Sequence, residues 1–406
     1  MRILFISQFY PPEIGAASNR IGYFAKFLAK AGHEVSVLTS APNYPEGKVY
    51  EGYKNRWTVQ KDNGVTIYRT RIFLSTQKKT LARLAHYLSF IIASVIAKRK
   101  IPKPDFVVAT SPPLFVGFIG VIFKKLWRSV RFILDIRDIW PESVESVGAV
   151  RSKILLRQGE KLARYIYRRA DHITVTSPGI KKLIIHHSSF VIPPITILPN
   201  GAELDLFRPD ISGDHVRRMW NIENKFVVLY TGNLGLAQAP EIFIKTAALL
   251  KEQHDIVFLI VGAGVLFQKL QNEATQKNLT NIIFTGARPR SEMPTFIASA
   301  NVCVIPYKKA DTFRNTFPSK MFDYMAGAKP IIINLKGEAS ELMEKAGCGL
   351  TAEEENAKDL AEKILLLKKN PAEADRLGTS GRAFVEKNYC REKIAEDLEK
   401  LLNNFL

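Results

Sequence analysis

One alternation constrains the fold of this chain more than any other feature, and it runs through the sequence twice. Short apolar runs rich in Val, Ile and Phe are separated by longer stretches of helical character. Such runs, lacking polar alternation, are buried on both faces, which demands a parallel sheet covered by helices on each side. In the first half the strands read ILFIS (3–7), EVSVLT (34–39), FVVAT (106–110), RFILDI (131–136), ITVT (173–176) and ITIL (195–198). The second half restarts with FVVLYT (226–231), IVFLIV (256–261), NIIFT (281–285), VCVIP (302–306) and PIIIN (330–334). The first connecting helix, Ala17 to Ala31, ends at Gly32, a residue suited to a helix stop. Between the halves lies LPNGAELDLFRP, rich in turn residues, which places a boundary near residue 205.

The expected class is α/β: two Rossmann-like domains, over 1–205 and 206–390, with an amphipathic C-terminal helix over 391–406 packing back. Facing each other, they make a central cleft at the carboxyl ends of both sheets, where ligands of open sheets bind. Pro11 to Ala17 is a small-residue loop entering a helix, and Gly15 serves either a simple turn or a close phosphate approach. After Thr231, Gly232-Asn233-Leu234-Gly235 brackets a loop whose backbone N–H groups can cradle phosphate, and Gly262-Ala263-Gly264 follows Val261. No GxGxxG follows the first strand and no GxxxxGK[ST] occurs, which disfavours dinucleotide oxidoreductases and P-loop enzymes.

The stretch Thr316 to Glu338, TFPSKMFDYMAGAKPIIINLKGE, carries the sharpest chemistry. A helix begins at Pro318-Ser319, with Lys320 and Asp323 in its first turns, and closes at Gly327. Its first N–H groups point out unsatisfied and its dipole makes that end electropositive, so a diphosphate is a natural guest. Asp323 cannot serve a phosphate, but it can accept hydrogen bonds from hydroxyls such as those of a ribose. An anion pocket beside a hydroxyl clamp implies a nucleotide-sugar site; the alternative is an amphipathic helix with no ligand.

Charge is distributed unevenly. Residues 1–200 hold 31 Lys and Arg against 12 Asp and Glu, whereas the remainder holds 27 of each, so the whole excess of +19 lies in the first half. That asymmetry implies a face that meets a polyanion, either nucleic acid or anionic lipid. Within this half KKTLARLAHYLSFIIASVIAKRK has an apolar run too short to span a bilayer. With Lys79, Arg83, Lys98, Arg99 and Lys100 flanking it, the helix is suited to lie in a membrane interface; a core helix with solvated ends is the alternative. The scattered Cys303, Cys348 and Cys390 form no zinc or disulfide framework, and the opening MRILFIS reads as a buried strand and not as a cleavable leader.

Six stretches in order carry a family resemblance: ILFISQFYPPEIGAASNRIGYFAKFLAKAGHEVSVLT, LPNGAELDLFRP, YTGNLG, FLIVGAG, NIIFTGARPRSEMPTFIASANVCVIPY and PSKMFDYMAGAKPIII. Together they resemble the GT-B glycosyltransferases of glycosyltransferase family 4. With DIRDIWPES, the pattern resembles the branch that builds bacterial surface polysaccharides such as O-antigen and capsule, including amino-deoxy-sugar transferases. The resemblance implies a hexosyltransferase that moves a sugar from a nucleoside diphosphate with retention and needs neither metal nor cofactor.

By position, the ribose-gripping acid of the family falls at Asp323, one methylene shorter than the usual Glu, and its second acid falls at the uncharged Asn315. Backbone N–H groups around Phe317, Pro318 and Ser319 would receive the diphosphate, with Lys320 neutralising charge or standing as a solvated lysine. Gly15, Ala16 and Asn233 complete the expected donor set; Ala16-Ala17 replaces a second loop glycine, and Leu236-Ala237-Gln238 stand where a basic residue is common. Arg288 falls where the nucleobase packs. Where many relatives have a histidine near the reacting centre, this chain has Arg137 and Asp138, either a catalytic pair or an ion pair that pins the loop.

The expected partners are a UDP-sugar donor, a lipid-diphosphate-linked sugar acceptor and an anionic membrane surface, with no nucleic acid. The expected location is cytoplasmic, on the inner face of the plasma membrane. A non-hydrolysing UDP-sugar epimerase shares the architecture but leaves the membrane-like helix without a purpose. A basic polyanion-binding protein is the non-enzymatic rival, and the basic stretch lacks a recognisable nucleic-acid motif.

Overall fold

The computed structural model of the chain describes residues 1–44, 47–74, 80–148, 150, 152–186, 188 and 190–405. Lys79, one of the expected membrane-facing residues, lies outside them, as does the side chain of Arg83. The chain divides into two units, Met1–Pro199 together with Ala395–Leu406, and Asn200–Ile394.

In the first unit the strands are β1 (Arg2–Ile6), β2 (Glu34–Ser40), β3 (Thr58–Asp62), β4 (Val65–Thr70), β5 (Phe106–Ser111), β6 (Arg131–Ile136), β7 (His172–Val175) and β8 (Ile195–Ile197). They form one sheet in the order β3-β4-β2-β1-β5-β6-β7-β8. Only β3 runs antiparallel, against β4. The central strands are apolar throughout because both faces are covered: Ile3, Leu4, Phe5 and Ile6 are all fully buried. Each such side chain contributes about 1.5–3 kcal/mol. The β3–β4 pair was not expected from the sequence. Thr58–Asp62 is a polar edge strand whose only apolar residue, Val59, is exposed, so it carries no core signal.

The first five helices of this unit are α1 (Ala16–Lys30), α2 (Thr80–Ala97), α3 (Leu114–Leu126), α4 (Glu142–Ser146) and α5 (Lys153–Arg169). Among the described residues no helix is long and apolar enough to cross a membrane. The terminal helix Arg391–Asn403 ends within the first unit, where Phe405 packs edge-on to Phe106 and His33 pairs with Glu399 at 2.8 Å.

The second unit contributes β9 (Phe226–Thr231), β10 (Ile256–Val261), β11 (Ile282–Gly286), β12 (Val302–Pro306), β13 (Ile331–Asn334) and β14 (Gly349–Thr351). Their order is β11-β10-β9-β12-β13-β14, and every pairing is parallel. Each unit is thus a Rossmann-like sheet whose chain changes direction beside its first strand. The switch points fall between β1 and β5 and between β9 and β12, and a crevice opens beyond the carboxyl ends of those strands.

Candidate active site

In the second unit the crevice is framed by Gly232–Gly235 after β9 and by the segment from Tyr307 to Asn315 after β12. The glycine loop is laced to its neighbour by backbone hydrogen bonds from Gly232 N to Val261 O (2.8 Å) and from Leu234 N to Ala263 O (2.9 Å). The approach is close enough to require glycine: a Cβ on Gly262, whose φ is +151°, would lie 1.8 Å from the Gly232 carbonyl oxygen.

The helix Ser319–Ala326 begins beside this loop, with Pro318 at its N-cap position and no side chain capping it. Tyr324 ties it in place, since its hydroxyl accepts a hydrogen bond from Thr231 N at 2.8 Å. One turn earlier the Lys320 ammonium lies 3.7 Å from the centre of the Tyr230 ring. A Cβ on Gly232 would come within 2.9 Å of Lys320 Nζ, so the lysine sits directly against the glycine loop. Burial pushes its pKa down to about 7. An amine so desolvated gains most from an arriving anion.

Asp323 faces another partner. Arg290 donates to its Oδ2 at 3.2 Å and its Oδ1 at 3.4 Å, and also to Glu203 at 2.8 Å. Burial works against the Arg290 charge, but the carboxylates of Asp323 and Glu203 outweigh it and hold its pKa above the ordinary value. Glu203 also pairs with Arg391, which donates to the backbone oxygens of Asn200 (2.9 Å) and Gly201 (2.8 Å). Neither Arg290 nor Glu203 was singled out from the sequence; no local motif links residues 87 positions apart.

The remaining expected donor residues are dispersed around this centre. The Asn315 amide donates to Asp311 O at 3.0 Å, and Arg314 beside it holds Glu354 at 2.8 Å, fixing the loop that leads into the helix. Phe317 and Pro318 are buried, and Ser319 is half-buried. Asn233 is exposed on the glycine loop, its carbonyl accepting the Tyr230 hydroxyl at 2.6 Å. Arg288 lies over Trp220, 5.7 Å from the ring centre, and 3.9 Å from Glu292.

In the first unit, Gly15, Ala16 and Arg137 line one cavity of about 550 Å³. Arg137 is oriented by hydrogen bonds to Thr110 Oγ1 (2.9 Å) and Pro112 O (2.6 Å). Beneath it Asp135 is buried against Arg20 at 2.9 Å and accepts from Thr110 and Thr174 as well. Burial raises the Asp138 carboxyl above its usual range, with Arg137 pulling the other way. Asp138 itself is half-buried and is not among the residues that line this cavity.

Lys98 and Lys100, expected at a membrane, each lie 5.3 Å from an indole, Trp127 and Trp57 respectively, while Arg99 is exposed.

Comparison with known proteins agrees with this architecture. The family model described as glycosyl transferases group 1 matches residues 214–384, and the one described as glycosyl transferase 4-like domain matches residues 15–201. A putative colanic acid biosynthesis glycosyl transferase of Escherichia coli, WcaI, is 26% identical over 97% of this chain and 98% of its own length. A GDP-mannose-dependent alpha-mannosyltransferase of Mycolicibacterium smegmatis is 24% identical over 86% of this chain and 84% of its own. Among solved structures, sucrose-phosphate synthase from Thermosynechococcus elongatus superposes with a TM-score of 0.79 at 20% identity, covering 99% of this chain and 98% of that one. Anabaena HepE in complex with UDP-glucose superposes with a TM-score of 0.73 at 16% identity, covering 99% of each chain. Two family models that between them account for most of the sequence, on two Rossmann-like sheets, make this chain a GT-B glycosyltransferase of the family 4 type.

Proposed function

We propose that this glycosyltransferase moves a sugar, in our reading an N-acetylated amino sugar, from UDP to a lipid-linked or oligosaccharide acceptor during bacterial surface-polysaccharide synthesis of the O-antigen or capsule kind. The observation that carries the donor side is the packing of Lys320 Nζ against Gly232 at the start of the helix Ser319–Ala326. A helix N-terminus and a desolvated amine converge there, and both favour a diphosphate, while the Gly232 and Leu234 N–H groups of the glycine loop are taken by Val261 O and Ala263 O. Asp323, steadied by Arg290, is suited to accept from ribose hydroxyls, with Asn315 and Arg288 as further donor contacts. The name of the E. coli relative supports the polysaccharide setting, and the bound nucleotide in the HepE structures supports uridine.

The reaction we assign is a retaining front-face transfer. The acceptor oxygen bonds to the anomeric carbon on the side from which the diphosphate oxygen departs. The helix N-terminus and Lys320 stabilise charge growing on that leaving group. The hydroxyl proton passes to Asp138 or to the departing diphosphate. Arg137 and the basic surface of the first unit would meet the acceptor at the inner face of the plasma membrane. Calorimetric titration with UDP, GDP and ADP tests the reading. Selective UDP binding is expected, and preferential GDP binding would replace uridine with guanosine in the assignment.

A further inference from the structure

The cavity of about 550 Å³ in the first unit is unusual for a sugar site, because its walls are apolar. Pockets of roughly this size bury a ligand of about drug size. Tyr44, Tyr87, Phe115, Trp140 and Leu162 line it, with Phe115 edge-on to Trp140 and stacked on Tyr87. Glu13 and Arg137 are its charged residues, with Ser18, Ser143 and Gln158 as further polar side chains, and the Glu13 carboxylate is already spent on the backbone N–H groups of Tyr10, Asn43 and Tyr44. A glycan needs many hydroxyl partners, and this lining has few.

The cavity also has an apolar way out. Leu84 of α2 stands at its rim and is the first of a stripe, Leu84, Leu88, Ile92 and Ile96, exposed by 37, 44, 61 and 63%. Residues four apart on a helix share one face, so the stripe is a continuous apolar track. It ends at Lys98-Arg99-Lys100. Leu155 of α5, half-exposed, stands on the cavity wall next to the exposed Ile154.

We infer that this cavity receives the hydrocarbon chain of a lipid phosphate, entering along the α2 stripe, with Arg137 toward the phosphate. The inference rests on the proposed function in naming that lipid as the acceptor's carrier. It explains why one unit combines nearly all of the positive excess with an unpartnered apolar track and an apolar cavity: the ligand is an anion with a greasy tail.

The test uses the full chain, titrated calorimetrically with farnesyl phosphate, decyl phosphate and inorganic phosphate, each below its aggregation limit. At least one chain-bearing phosphate is expected to bind roughly tenfold or more tighter than inorganic phosphate. The tighter of the two distinguishes a prenyl from a saturated alkyl chain. Leu155→Asp and Leu84→Asp should each weaken that binding by about tenfold while the melting temperature holds, since both side chains are already part-exposed. Binding no tighter than inorganic phosphate, or unaffected by both variants, overturns the inference. A parallel UDP titration separates the two readings: UDP binding without chain binding sinks only this inference, and chain binding without nucleotide binding sinks the donor assignment.

Discussion

The Arg290 guanidinium bridges Asp323 and Glu203, 3.2 Å from the first and 2.8 Å from the second. A single planar fork therefore orients the carboxylate on the helix Ser319–Ala326 and, at the same time, anchors the segment that opens the second unit. Arginine suits the role because its donors are rigid and its charge persists when desolvated. Arg290→Lys keeps the charge and loses the fork. UDP affinity should fall by about three- to tenfold, from the loss of one or two charge-assisted hydrogen bonds of the pair. Titration calorimetry measures it; unchanged affinity would mean that Asp323 needs no orienting partner.

Asp323→Ala removes the hydroxyl acceptor itself. Turnover should drop roughly tenfold or more, as expected for a charge-assisted hydrogen bond to substrate. The far-UV spectrum and melting curve should stay near wild type. Wild-type rates would refute the assignment of this carboxylate.

Lys320 predicts a pH dependence. Burial pushes its pKa down to about 7, so above that pH the amine in the free protein is increasingly neutral. A diphosphate against it favours the charged form, so binding above pH 7 takes up a proton and affinity weakens as pH rises. The sign for stability is opposite. An amine whose folded pKa lies below its unfolded value destabilises most below pH 7 and progressively less toward its ordinary pKa. UDP titrations at pH 8 in buffers of different ionisation enthalpy should reveal proton uptake in the wild type and markedly less in Lys320→Ala. Equal uptake in both would assign the proton elsewhere.

The buried Arg20–Asp135 pair should matter chiefly for stability. Arg20→Met leaves an unpaired carboxylate among buried neighbours and should cost about 3–5 kcal/mol in urea denaturation. Burial pushes the Asp135 carboxyl up, but Arg20 and the Thr174 hydroxyl outweigh it and hold its pKa below the usual value. Its contribution is therefore present above the ordinary carboxylate range and is lost as pH falls through the depressed value. Asp135→Asn should flatten the acid limb of the stability profile.

Lys98, Arg99 and Lys100 changed together to Gln should reduce sedimentation with anionic vesicles, since each charge near such a surface contributes about 1 kcal/mol. UDP affinity should be unaffected. Undiminished sedimentation would mean that the basic triplet serves another partner.

Local sequence determined the strands and the loops that follow them. FVVLYT, IVFLIV and VCVIP are strands over the same residues that their apolar runs mark, because burial on both faces leaves an unbroken apolar signature. The start of the helix at Ser319 and the positions of Lys320 and Asp323 were equally legible, since capping and helix periodicity act over a few residues. Tertiary structure alone decided the partners. The Thr231–Tyr324, Arg290–Asp323 and Arg20–Asp135 contacts join residues 93, 33 and 115 positions apart, and no spacing rule reaches that far. The same holds for α2. Its sequence announced an apolar helix with basic ends, but only packing against α3 and β4 determined which side chains it buries and which stripe it leaves open, because burial belongs to the neighbours a side chain meets and not to the side chain itself.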